Sequence, residues 1–157
     1  MAKLRIIDIL ERGQIGQTVT ALGWVRSRRD SKAVTFLVLS DGSSIKTLQV
    51  VIDPGIPGHD TLAPVGTGAS VAIEGELVQS PGKGQAIELK ATRVEVLGLA
   101  DQETYPLQKK GHSMEFLRSI AHLRSRSNVF GAVFRIRATL AQATHRYFAS
   151  NGFATMP

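Results

Sequence analysis

Between residues 53 and 68 the sequence carries three prolines and four glycines. Proline removes a backbone donor and fixes φ, and glycine loses the most conformational freedom on entering regular structure. This stretch therefore suits neither a strand nor a long helix, and it divides three strand-like segments from two that follow. Residues 18–28 alternate, with Val19, Ala21, Gly23 and Val25 on one side and Thr20, Leu22, Trp24 and Arg26 on the other. That is the period of a strand with one buried face. Gly23 in mid-run predicts a bend or bulge. Residues 34–39 are short and apolar, Asp41-Gly42-Ser43-Ser44 reads as a turn, and 45–52 follow as the third strand. Residues 69–79 and 86–97 form the last pair. The loop 80–85 joins them, with Pro81 fixing φ and Gly82 free to take a positive one.

Five curved strands with one long excursion between the third and fourth match the five-stranded OB barrel. The fold class expected is mainly β with a helical tail, and residues 1–98 are the barrel domain. Ile6, Ile7, Ile9 and Leu10 suit a short helix packed on it. Residues 99–110 carry Tyr105-Pro106 and no clear periodicity, which reads as an interdomain linker, and the hinge is taken to run from 99 to 127. Residues 128–150 are the strongest helix: Phe130, Val133, Phe134, Leu140, Ala141, Thr144, Tyr147 and Phe148 recur at steps of three and four. Gly152 stands where a glycine cap would end it.

Charge is divided unevenly. Residues 1–107 hold 11 Lys and Arg against 12 Asp and Glu, whereas 108–157 hold eight against the single Glu115. A one-signed stretch attracts polyanions such as nucleic acid, and it equally fits a surface balanced by acidic groups elsewhere. With no cysteine, disulfides, thiolate zinc sites and thiol nucleophiles are excluded. No apolar run reaches the roughly 18–20 residues that span a bilayer. Asp8, Glu11 and Arg12 interrupt any signal-peptide core. The expectation is a soluble, cytoplasmic protein. His59, His112, His122 and His145 lack metal-ligand spacing. Gly82-Lys83-Gly84 lacks the spacing of a phosphate loop and joins two strands. No residue set reads as catalytic.

The barrel itself offers binding chemistry. OB barrels take single strands by stacking bases on aromatics, with cations along the backbone and polar groups at base edges. Arg26, Arg28 and Arg29 end the first strand, Phe36 lies in the second, Gln49 in the third and Glu88 in the fifth. Each also has a plain structural reading: Phe36 as core, the arginines as a solvated strand end, Gln49 and Glu88 as polar alternation.

Taken together, residues 19–53 (VTALGWVRSRRDSKAVTFLVLSDGSSIKTLQVVID) resemble the anticodon-binding domain of the aspartate, asparagine and lysine group of class II aminoacyl-tRNA synthetases. Residues 104–153, from TYPLQKKGHSMEFLRS onward, are similar to the hinge and first catalytic-domain helix of bacterial-type asparagine–tRNA ligase. Residues 80–98 (SPGKGQAIELKATRVEVLG) resemble that enzyme's hairpin and last barrel strand. The resemblance implies that Phe36 stacks on the central anticodon uridine and that Gln49 reads it. It places Glu88 near the first anticodon base, and Arg26, Arg28 and Arg29 on the backbone. Residues 128–157 would begin the catalytic domain. Phe130, Phe134, Leu140, Phe148 and Pro157 would belong to a homodimer interface of the full-length enzyme. The implied partner is tRNA for asparagine, with ATP and Mg2+ used only by the full-length enzyme.

The sequence departs from that pattern at Gly111, where arginine is usual, and at Ser125, where proline is usual. Both changes loosen the hinge. Its last residues, GFATMP, reach Pro157 sooner than the first class II motif does, and the second and third motifs are missing. The chain alone is expected to bind tRNA without ligase activity. Alternatives are a free-standing OB module for single-stranded nucleic acid, or an interaction protein whose helix face pairs with a partner.

Overall fold

A computed structural model describes residues 3–31, 33–82 and 84–154. Lys83 of the 80–85 loop and Pro157 of the expected interface lie outside them. In chain order the elements are β1 (Lys3–Leu4), α1 (Ile6–Arg12), β2 (Thr18–Asp30), β3 (Thr35–Ser40), β4 (Leu48–Ile52), β5 (Ser70–Gln79), β6 (Ile87–Gly98), α2 (Met114–Ser119) and α3 (Asn128–Ser150). Single 3-10 turns occupy His59–Leu62 and Arg124–Arg126. Two compact units result, one running to Gly111 and the other starting at His112.

The first unit is a closed barrel. β2 is long enough to pair twice: Thr18–Trp24 lie antiparallel to β5, and Trp24–Asp30 lie antiparallel to β3. The ring then runs β3 to β4, β4 to β6 in parallel, and β6 to β5. Every barrel strand therefore has two neighbours, which removes the open edge that would invite aggregation. β1 adds in parallel outside β2, and its two residues are too short for alternation to reveal. The inward row, including Val19, Ala21, Leu37, Leu39, Val50 and Ile73, is fully buried. Burying a large aliphatic side chain contributes about 1.5–3 kcal/mol.

The expected short helix exists as α1, with Ile6 and Ile9 in the core. Its own preceding residue supplies no side-chain cap. Instead the 41–44 turn reaches across: Asp41 accepts from the Ile6 N–H at 2.9 Å, and Ser43 Oγ accepts from that of Ile7 at 3.0 Å. Two of the orphan donors of the first turn are thus satisfied. Burial pushes the Asp41 carboxyl up, but bonds from Ser43 and Ile6 outweigh it and hold the group below its usual range.

Three sequence expectations need correction. The third strand begins at Leu48 rather than residue 45, because Ser44 Oγ takes the Lys46 N–H in a local turn and Ile45 is exposed. In the 80–85 loop the positive φ belongs to Gly84, not Gly82. The bulge of β2 lies at Arg26, not Gly23: the register passes from Val25 opposite Leu39 to Ser27 opposite Val38. Gly23 keeps regular register with Val71, and its need is for space, since a Cβ there would lie 3.0 Å from the Ser40 carbonyl oxygen.

Residues 99–110 are ordered on the barrel rather than free. The Tyr105 ring lies over Gly68, Gln102 donates to the carbonyls of Ala100 and Thr67, and Gln108 donates to those of Gln102 and Tyr105.

In the second unit Ser113 and Ser127 cap α2 and α3 by accepting from the N–H groups of Phe116 and Phe130. Apolar periodicity predicts both bounds of α3. Its end is a Schellman motif: Gly152 has φ +85°, its N–H reaches the Ala149 carbonyl, and the Phe153 N–H reaches that of Phe148. The Phe148 and Phe153 rings close the motif edge to face at 5.6 Å.

Candidate nucleic-acid interface

The bulge at Arg26 decides which arginines share a face. An extra residue shifts the period-two alternation by one, so every side chain beyond it changes sides. Continued without the bulge, the alternation of 18–25 would put Arg28 outside and Arg29 inside. With it, Ser27 and Arg29 point out, while Arg28 and Asp30 join the inner row opposite Leu37 and Thr35.

On the outside, neighbouring strands then align two rows. Arg29 stands opposite Phe36, and Phe36 opposite Val51; Ser27 stands opposite Val38, and Val38 opposite Gln49. The Arg29 guanidinium carbon lies 4.6 Å from the centroid of the half-buried Phe36 ring, a stacking pair of the kind bases join. Val38 and Val51 complete an apolar floor that single-residue inspection of the sequence passed over, although their alternation with Leu37 and Val50 marks them as outward.

Beside Phe36, β4 and β6 run in parallel with Val50 opposite Leu89, which brings Gln49 next to Glu88. Gln49 Nε2 donates to Glu88 Oε2 at 2.8 Å, and Gln85 Nε2 donates to the same oxygen at 3.4 Å. Glu88 is only 3% exposed. A carboxylate only accepts, so it fixes which end of the Gln49 amide faces it. The amide oxygen and the second amide hydrogen remain as an acceptor beside a donor. That pair is complementary to the N3–H and a carbonyl oxygen of uracil. Gln85, a loop residue by sequence, carries no pattern that foretells this role.

Arg26 is the half-buried extra residue at the bulge of β2. Arg28 is elsewhere. Its Nε bonds Asp30 at 3.0 Å, and its Nη1 donates to the carbonyls of Leu62 and Val65, the latter at 2.9 Å. Asp30 in turn accepts from Thr35 Oγ1 at 2.7 Å. That bond first, then the one from Arg28, holds the Asp30 carboxyl below its usual range against the opposing effect of burial.

The residues expected at an interface on α3 are not equivalent. Phe130 is buried and Phe134 half-buried, their rings 5.8 Å apart with the Arg124 guanidinium over both, whereas Leu140 and Phe148 are exposed. Among the described residues no three His, Asp or Glu side chains converge to hold a metal, and no helix is long and apolar enough to cross a membrane.

Residues 19–97 match the family model of an OB-fold nucleic acid binding domain. Over 152 residues the chain is 55% identical to the asparagine–tRNA ligase of Geobacter metallireducens, covering 97% of this chain and 33% of that one. Over 151 residues it is 54% identical to the asparagine–tRNA ligase of Parabacteroides distasonis, covering 96% and 32%. The chain thus spans about a third of the length of the curated relatives it matches. In fold it is similar to asparaginyl-tRNA synthetase from Pyrococcus horikoshii, with a TM-score of 0.84 at 20% identity over 99% of this chain and 37% of that one. The family match takes in all five strands of the closed barrel, and the chain belongs to the OB-fold nucleic acid binding domain family.

Proposed function

We propose that the outer face of β2, β3, β4 and β6 binds the unpaired anticodon of tRNA for asparagine, as the anticodon-binding part of an asparagine–tRNA ligase. The observation that carries this reading is the convergence of Arg29 and Phe36 with an amide, Gln49, whose orientation a buried carboxylate fixes. Phe36 stacks the central uridine, and Gln49 meets its Watson–Crick edge. Glu88 orients Gln49 and borders the place of the first anticodon base. Arg29 and Arg26 hold the backbone. The relatives' names support the choice of asparagine.

Ligation in the full-length, cytoplasmic enzyme uses ATP with Mg2+. The chain by itself is read as binding tRNA without ligating it. The exposed side of α3, with Leu140 and Phe148, is covered by a second copy in the full-length enzyme. Phe130 and Phe134 support it from beneath.

Fluorescence titration with an anticodon stem-loop RNA tests the barrel reading. Binding weakens with salt at a log–log slope of roughly −0.7 per phosphate contact. Phe36→Ala costs about 1–3 kcal/mol through lost stacking. Equal affinity for loops with and without the central uridine would defeat the assignment.

A further inference from the structure

We infer that Arg28 is a positioning residue for the anticodon face: it acts through the connector between β4 and β5 and does not touch RNA. The inference rests on the proposed binding function. It starts from the bulge at Arg26, which turns Arg28 to the inner row at the mouth of the barrel. There the guanidinium bonds through both Nε and Nη1. Nε lies 3.1 and 3.0 Å from the two Asp30 carboxylate oxygens, and Nη1 serves the carbonyls of Leu62 and Val65, with that of Ala63 farther off at 3.4 Å. The side chain retains 22% exposure.

These carbonyls lie in the breaker-rich connector that the sequence leaves without regular structure. Leu62 and Val65 are its buried anchors, so their carbonyls are poorly placed to find water if the guanidinium leaves. Arg28 thus ties the connector to the end of β2. Through Asp30 the same tie reaches Thr35, the residue before Phe36. Arg29 and Phe36 are flanked on the opposite face by this Arg28, Asp30 and Thr35 set, so their mutual placement depends on it. A lysine keeps the charge but has no planar fork to serve a carboxylate and two carbonyls together.

The test uses the whole chain and an anticodon stem-loop RNA with a central uridine, titrated at several salt concentrations, with hydrogen exchange of the RNA-free chain in parallel. Arg28→Lys should weaken binding about tenfold, leave the salt slope unchanged, and speed exchange in residues 59–65. Arg29→Gln should instead lower the slope by roughly 0.7 and leave the connector protected. A phosphate contact predicts the reverse for Arg28: Lys restores binding, while Arg28→Gln reduces the slope. That result would overturn the inference, as would wild-type affinity in both Arg28 variants. Failure of the anticodon reading itself would show in the unmodified chain, as binding indifferent to the uridine. The exchange readout would then still decide the connector tie, and unchanged exchange in Arg28→Lys would refute it.

Discussion

The barrel and the unit that begins at His112 face a polyanion in opposite ways. The second unit carries nearly all the excess positive charge, with Glu115 its single acid, yet its arginines are spread over a helix and its approaches. The barrel is close to neutral, but it gathers a cation, an aromatic ring and an oriented amide on one face. Net charge raises the rate and strength of non-specific encounter, whereas discrimination between bases needs fixed donors and acceptors. By that criterion the reader proposed above is the neutral unit, and the basic one at most steers. The two also differ in self-sufficiency. Among the described residues no buried side-chain polar atom lacks a partner, and the barrel core is fully enclosed. By contrast Val133, Ile136, Leu140, Tyr147 and Phe148 leave α3 with an exposed apolar side, which is expensive in water unless covered.

The largest expected effects sharpen that second contrast. Leu37→Ala in the barrel core should cost about 2–5 kcal/mol in denaturant unfolding. Leu140→Ala, at 61% exposure, should stay within about 0.5 kcal/mol. Comparable losses at both sites would show that α3 is buried in solution and would break the comparison.

How far the sequence foretold this division depends on period. Five strands and α3 were legible because their apolar residues recur at two or at three and four, and α3 matched at both bounds. What stayed hidden lacks a local signal. A single extra residue at Arg26 leaves no compositional trace, yet it exchanges Arg28 for Arg29 on the outer face. The carbonyl partners of Arg28 lie more than thirty positions away in a stretch without periodicity. Residues 99–110 read as a linker because they dock by glutamine amides and one tyrosine ring rather than by an apolar stripe. Phe36, Gln49 and Glu88 were legible as candidates, but the bond by which Glu88 orients Gln49 emerges only from the parallel pairing of β4 and β6.

Intermediate effects concern reading. Glu88→Leu removes the acceptor that orients Gln49 and should cut the preference for a central uridine over cytidine by about 1 kcal/mol, measured by competition between two stem-loops. An unchanged preference would mean that Gln49 needs no such support.

Acid should act on the barrel before it acts on α3. The Asp30 and Asp41 carboxyls lie below their usual range in the folded chain. A depressed value contributes stability that is complete above the unfolded value and is lost as pH falls through the folded one. Barrel stability should therefore drop below about pH 4. Asp41→Asn should flatten part of that drop, as followed by thermal melts across pH. A smaller effect is expected at the end of α3, where Gly152→Ala strains a position at φ +85° and should cost about 1 kcal/mol of local helix stability. Circular dichroism of the two chains would check it.

The most direct test of the division of labour is to follow backbone amide chemical shifts while adding an anticodon stem-loop RNA, at salt high enough to screen loose contacts. Under that division the largest changes fall at residues 26–29, 36–38, 49–51 and 85–88, around the outer face of the barrel. Changes concentrated in residues 112–154, with the barrel face silent, would contradict it.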